Sequence, residues 1–117
     1  MDLFSGKRVL VVENSEFLSE TTRQELIRLG AFIIGPVASF TAVIRAFENR
    51  LDAAILDVHL DGQMSFLLSE AFEREDIPFV FAVAGSSLPR DFQGYVLSPD
   101  PLHLTLIGRT LFGGALQ

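Results

Sequence analysis

No cysteine occurs among the 117 residues, which excludes disulfides and thiolate metal centres and fits an intracellular protein. Tryptophan is absent too and tyrosine occurs once, so the aromatic content rests on eleven phenylalanines, most of them core candidates. Positive charge is scarce: nine Lys and Arg face fifteen Asp and Glu, for a formal charge of −6, and the basic residues are scattered. A surface of that sign repels nucleic-acid phosphates. No apolar run nears the roughly 18 residues of a membrane helix, and the opening MDLFSGKR lacks the charged start and apolar stretch of a secretory signal. The expected setting is therefore cytoplasmic, with neither nucleic acid nor membrane as partner. The length suits one domain, expected over 1–117 with its core at about 7–112.

What is present is an alternation of short apolar runs with amphipathic ones. KRVLVVE (7–13) is continuous and β-branched, the pattern of a strand buried on both faces. Asn14-Ser15 can cap a following helix, with Glu16 and Glu20 near its positive end; Leu18, Thr22, Leu26 and Leu29 make its face and Gly30 its stop. AFIIGPV (31–37) is a second strand. Ser39 caps a helix with Phe40, Val43, Ile44 and Phe47 as its stripe. DAAILDV (52–58), a helix over 63–74, IPFVFAV (77–83) and GYVLS (94–98) follow. AGSSLPRDFQ between the last two strands is too broken for a long helix, and a final helix over 101–112 uses Leu104, Ile107 and Leu111.

Five strands alternating with helices predict right-handed crossovers and an α/β fold, a doubly wound parallel sheet with helices on both faces. Ligands of such sheets bind outside the carboxyl ends of the strands. That rule selects Glu13, Asn14, Asp57, Val83, Ala84 and Ser98. In AAILDVHLDG, Asp57 ends a greasy run, and a carboxylate there is either a reaction centre or a cap of backbone amides; the convergence of strand ends favours a site.

VLVVENSEF, AAILDVHLDG, IPFVFAVAG and GYVLSPDP, in this order and spacing, resemble the receiver domains of bacterial two-component response regulators, nearest in architecture to the single-domain chemotaxis type. The resemblance implies a flavodoxin-like fold with strand order 2-1-3-4-5 and makes Asp57 the match of the phosphoacceptor. It implies Mg²⁺ beside it, held by Glu13, Asp57 and the backbone carbonyl of His59, with Asn14 a weaker, neutral ligand or a helix cap. A metal is chemically apt, since phosphoryl transfer onto a carboxylate gathers negative charge. The implied partners are a histidine kinase or phosphotransfer protein and a downstream protein target, with a homodimer as a further option. Any enzymatic activity would be limited to phosphorylation of Asp57 from a kinase or small phosphodonor.

The departures from the family pattern bear on the switch. Its hydroxyl after the fourth strand is replaced by Val83, followed by Ala84, and its lysine after the fifth by Ser98; the aromatic switch position is Tyr95. Ser98-Pro99 stands where the family commonly has a cis peptide. The family's partner face would here draw on Leu88, Phe92, Tyr95, Leu104 and Leu111. His59 and His103 read as solvated side chains. Two functions compete: an atypical receiver switched at Asp57, and a degenerate receiver serving as an interaction or dimerisation module without phosphorylation. A flavodoxin-like enzyme or small-ligand binder is the remote third, because the chain shows no Gly-rich phosphate loop and no Ser-His-Asp set.

Overall fold

The structure is a computed structural model, and it describes residues 3–13, 16–85 and 94–113. The chain runs β1 (Arg8–Val12), α1 (Glu20–Arg28), β2 (Phe32–Val37), α2 (Phe40–Ala46), β3 (Ala53–Asp57), α3 (Gly62–Arg74), β4 (Phe79–Ala84), β5 (Tyr95–Leu97) and α4 (Pro101–Gly108). A π-helical turn, Arg109–Gly113, ends it. All strand pairs are parallel and the order is 2-1-3-4-5, the flavodoxin-like arrangement expected.

Side chains alternate across a strand, so each strand feeds two cores. Val9, Val11, Ala53 and Ile55 point to one face, where Leu26 of α1 and Leu104, Ile107 and Leu111 of the last helix cover them. Leu10, Val12, Ala54 and Leu56 point to the other, under Val43 and Ala46 of α2 and Leu68 and Phe72 of α3. Phe72 lies against Phe47 and Phe79, with ring centroids 5.6 Å away in each case. By the same alternation Asp57 points to the face covered by α1 and α4.

Several local expectations need correction. The first helix is capped by Ser19, whose Oγ accepts from Thr22 N at 3.1 Å, and not from Asn14-Ser15. The stretch before it is held open by another group, described below. Asn14 and Ser15 lie outside the described residues, as does most of the stretch between β4 and β5. The last helix keeps its α form only to Gly108; a Cβ at this glycine would stand 3.0 Å from Phe4, so the N-terminal segment packs directly on the helix backbone there. Ser98–Pro99 is trans, the ordinary state of an X–Pro bond, and the cis bond among the described residues is Gly35–Pro36. That pair sits on β2, an edge strand, where a missing N–H is tolerated. Gly35 has φ +99°, and a Cβ on it would fall 2.9 Å from the carbonyl oxygen of Val11, at the place where the β1–β2 register shifts between Leu10 and Val12.

Phe112, expected to be hard to bury, is half-covered by the N-terminal segment. Phe4 meets it edge to face at 5.7 Å and the Lys7 ammonium stands 5.1 Å over its ring. On the open side of α1, Arg28 holds the Glu25 carboxyl below the usual range through its hydrogen bond and charge, an exposed pair of little energetic weight. Among the described residues no helix is long and apolar enough to cross a membrane.

Candidate functional site at the carboxyl edge of the sheet

The hydrophobic strand β3 delivers Asp57 to its last position, where the residue is 3% exposed. A buried carboxylate needs partners, and Asp57 finds them in the next two residues. Its Oδ1 accepts from the His59 amide at 2.9 Å and lies 3.1 Å from the His59 ring Nδ1. Its carbonyl accepts from Leu60 N, closing a tight turn. The other oxygen, Oδ2, has no hydrogen bond among the described residues, yet it is not sealed from solvent. The choice between a cap and a reaction centre is thus divided by atom: Oδ1 organises the turn, and Oδ2 stays available.

β1 and β3 pair in register, Val12 opposite Leu56, so Glu13 and Asp57 occupy the next positions of adjacent strands. Glu13 has its own local task. Its Oε1 accepts from the amides of Phe17 and Leu18, each at 2.9 Å, which fixes the segment leading to Ser19 and displaces the helix start. Glu13 Oε2 and the His59 carbonyl accept no hydrogen bond among the described residues. Among the described residues no three His, Cys, Asp or Glu side chains gather as a metal cage. The oxygens these residues could offer an ion are one on each of two carboxylates plus a carbonyl, a kind of donor that suits a hard ion keeping several waters and does not suit zinc or other N/S-seeking metals.

The remaining positions flank this pair. Val83, 1% exposed, comes one residue after Ala82, the register partner of Asp57, and carries only methyl groups at the hydroxyl position, with Ala84 after it at the end of β4. Tyr95 is half-buried and its hydroxyl is 2.7 Å from Thr110 Oγ1, which ties the ring to the terminal π-helical turn. Ser98 Oγ accepts from Asp100 N at 3.1 Å and is 2.7 Å from His103 Nδ1. His103 had read as a solvated side chain, but it closes back onto the end of β5. The signal was available in SPDPLH: Asp100 caps α4, accepting from Leu102 N at 2.9 Å, and the first turn of a helix so capped brings residue 103 over the preceding strand end.

The expected partner face is corrected in two places. Leu104 and Leu111 are 1% and 6% exposed and belong to the core, because they share the stripe with Ile107 that faces the sheet. A residue cannot serve both faces of one helix; the outward positions of α4 are Leu102 and Leu106, 63% and 47% exposed. Leu88 and Phe92 lie outside the described residues.

No protein-family model matches the chain, and no curated protein matches it by sequence. Solved structures do. SdrG from Sphingomonas melonis Fr1, determined in solution, is 31% identical, with 92% of this chain and 98% of SdrG covered and a TM-score of 0.61. The BeF3-activated conformation of SdrG from Pseudomonas melonis Fr1 is 27% identical, covering 87% of this chain and 92% of that one at a TM-score of 0.63. With this identity over nearly all of SdrG and the same order of strands, the chain belongs to the SdrG family of response-regulator-like receiver proteins.

Proposed function

We propose that the protein is an atypical receiver of two-component phosphorelay signalling, with Asp57 as phosphoacceptor and protein binding as its output. The observation that carries this reading is the divided carboxylate: Oδ1 is fixed by His59 while Oδ2 stays uncommitted at the carboxyl edge of the sheet. Activation of SdrG by BeF3 supports it, because beryllofluoride imitates a phosphoryl group on a carboxylate.

In the transfer step Asp57 Oδ2 attacks phosphorus. A P–O bond forms, the P–N bond of a partner's phosphohistidine or the P–O bond of a small phosphodonor breaks, and the leaving group departs with the electron pair. Mg²⁺ at Asp57, Glu13 and the His59 carbonyl would offset the charge gathered on the phosphoryl oxygens. The chain's own residues hold the acceptor carboxylate in place through the His59 amide and ring at Oδ1. They do not supply a hydroxyl at Val83 or a lysine at residue 98, so transfer is expected to be slow and the metal weakly held.

Those same two positions favour the second reading, a module that binds without phosphorylation. One experiment separates them. The protein is incubated with Mg²⁺ and acetyl phosphate and its intact mass measured beside that of Asp57→Asn. One phosphoryl mass on the wild type and none on the variant supports the switch; no adduct at saturating metal and donor supports the phosphate-independent module.

A further inference from the structure

We infer that Tyr95 is a fixed strut and not a moving reporter: its bond to Thr110 keeps the ring in one place whether or not Asp57 carries a phosphoryl group. This rests on the acceptor reading of Asp57 and concerns where the signal does not travel. Ala82 is the register partner of Asp57 on one side and of Tyr95 on the other, so the three form one row across β3, β4 and β5. Side chains in such a row share a face of the sheet. Ala82 lies in the core under α1 and α4, and Tyr95 packs against that core. At the ordinary spacing of strands the acceptor and the tyrosine stand about 10 Å apart along the row, with one methyl group between them.

A ring moves in response to its neighbour only if some group binds differently in the two states. β4 reads FVFAVA and has no polar side chain, so the strand between acceptor and tyrosine presents none that could bond a phosphoryl oxygen and pull away from the ring. Ala82 and Val83 are 0% and 1% exposed, and both end in methyl groups. The other end of the tyrosine is engaged: its hydroxyl stands 2.7 Å from Thr110 Oγ1, and the bond closes whichever hydroxyl donates. Thr110 is itself anchored. Leu111 beside it is buried in the core, and Phe112 is held by Phe4 and Lys7. The ring is therefore tied to a secured turn, and no side chain from β4 opposes the tie. The surface at β5 is then the same in both states, so a partner that tells them apart must touch another part of the acceptor edge.

Tyr95 is the only tyrosine and tryptophan is absent, so isotope labelling of tyrosine rings gives the NMR signals of this one residue. The nuclear Overhauser contact between the Tyr95 ring and the Thr110 methyl is compared with and without beryllofluoride and Mg²⁺. A ¹⁹F signal of bound beryllofluoride, present in the wild type and lost in Asp57→Asn, reports that the acceptor is loaded. The expected result is the same contact at the same strength in both states. Thr110→Val keeps the shape of the side chain and removes its exposed hydroxyl. In that variant the contact between the ring and the methyls at position 110 should fall roughly two- to tenfold, the worth of one hydrogen bond read as a population. A loaded wild type that loses the Thr110 contact overturns the strut, because the ring then follows Asp57. An undiminished contact in Thr110→Val overturns it as well, since the hydroxyls then do not hold the ring; both results leave the acceptor standing. Absence of the ¹⁹F signal from the wild type removes the acceptor reading and this inference together.

Discussion

At the scale of single residues, the site is built from carboxylates that each hold two positions at once. Asp57 closes its own turn with one oxygen and offers the other; Glu13 fixes two amides before α1 with Oε1 and keeps Oε2. Glu13→Gln preserves a carbonyl acceptor for those amides but removes the charge. Its urea-unfolding free energy should fall by less than ~1 kcal/mol, whereas Glu13→Ala, which leaves two amides without an acceptor, should lose about 1–3 kcal/mol. Mg²⁺ affinity, measured by titration, should drop in both variants. Equal metal binding in wild type and Glu13→Gln would show that Oε2 is not a ligand.

The position of Asp57 was legible in the sequence because a buried parallel strand announces itself as a continuous apolar run, and the residue that ends it is plain. The task of Glu13 Oε1 was not legible. Nothing in VVENSEF says that the carboxylate reaches forward to Phe17 and Leu18, since such a bond depends on the path of the connecting segment. His103 was underread although SPDPLH marks it as a first-turn residue of a capped helix, which the bend at Ser98–Pro99 then sets against the end of β5.

At the scale of elements, hydrophobic periodicity found the strands and the core stripes of the helices, and it misplaced their outer faces. PLHLTLIG is apolar on nearly every side, so α4 has almost no amphipathic contrast from which to choose a face. The sheet makes the choice, taking Leu104 and Ile107 and leaving Leu102 and Leu106 outside. Leu104→Ala should cost about 2–5 kcal/mol by chemical denaturation, as buried leucines do. Leu106→Ala should stay within ~0.5 kcal/mol. A large loss from Leu106→Ala would mean that this leucine is packed, and the outward assignment of α4 would fail. Helix starts were the other weak point, because Ser15 and Ser19 are equally good caps in isolation and the Glu13 bonds decide between them.

At the scale of the whole molecule, one sheet separates two cores that differ in kind. The side under α2 and α3 is organised around Phe72, fully buried between Phe47 and Phe79. The side under α1 and α4 has Phe4 and Phe17 at its margins, and it carries the Asp57 carboxylate and the hydrogen-bonded Ser98 and His103. Phe72→Ala should therefore cost about 3–5 kcal/mol in thermal or urea unfolding, while, on the proposed acceptor reading, any folded fraction should keep the reactivity of Asp57 toward phosphodonor. Loss of that reactivity at temperatures where circular dichroism still reports native protein would contradict the separation. Strand order was legible through the resemblance, whereas this division of labour needed the alternation along β1 and β3 to be placed in three dimensions.

The clasp of Phe4 and Lys7 on Phe112 has a practical consequence. It brings the first and last described segments together at the pole of the molecule where the strands begin, the far end from the acid. Fluorophores attached near residues 3 and 113 would sit side by side and yield a high transfer efficiency. That signal should remain unchanged as reagents engage the opposite pole, making the pair a built-in gauge of intactness that is blind to events at the Asp57 end.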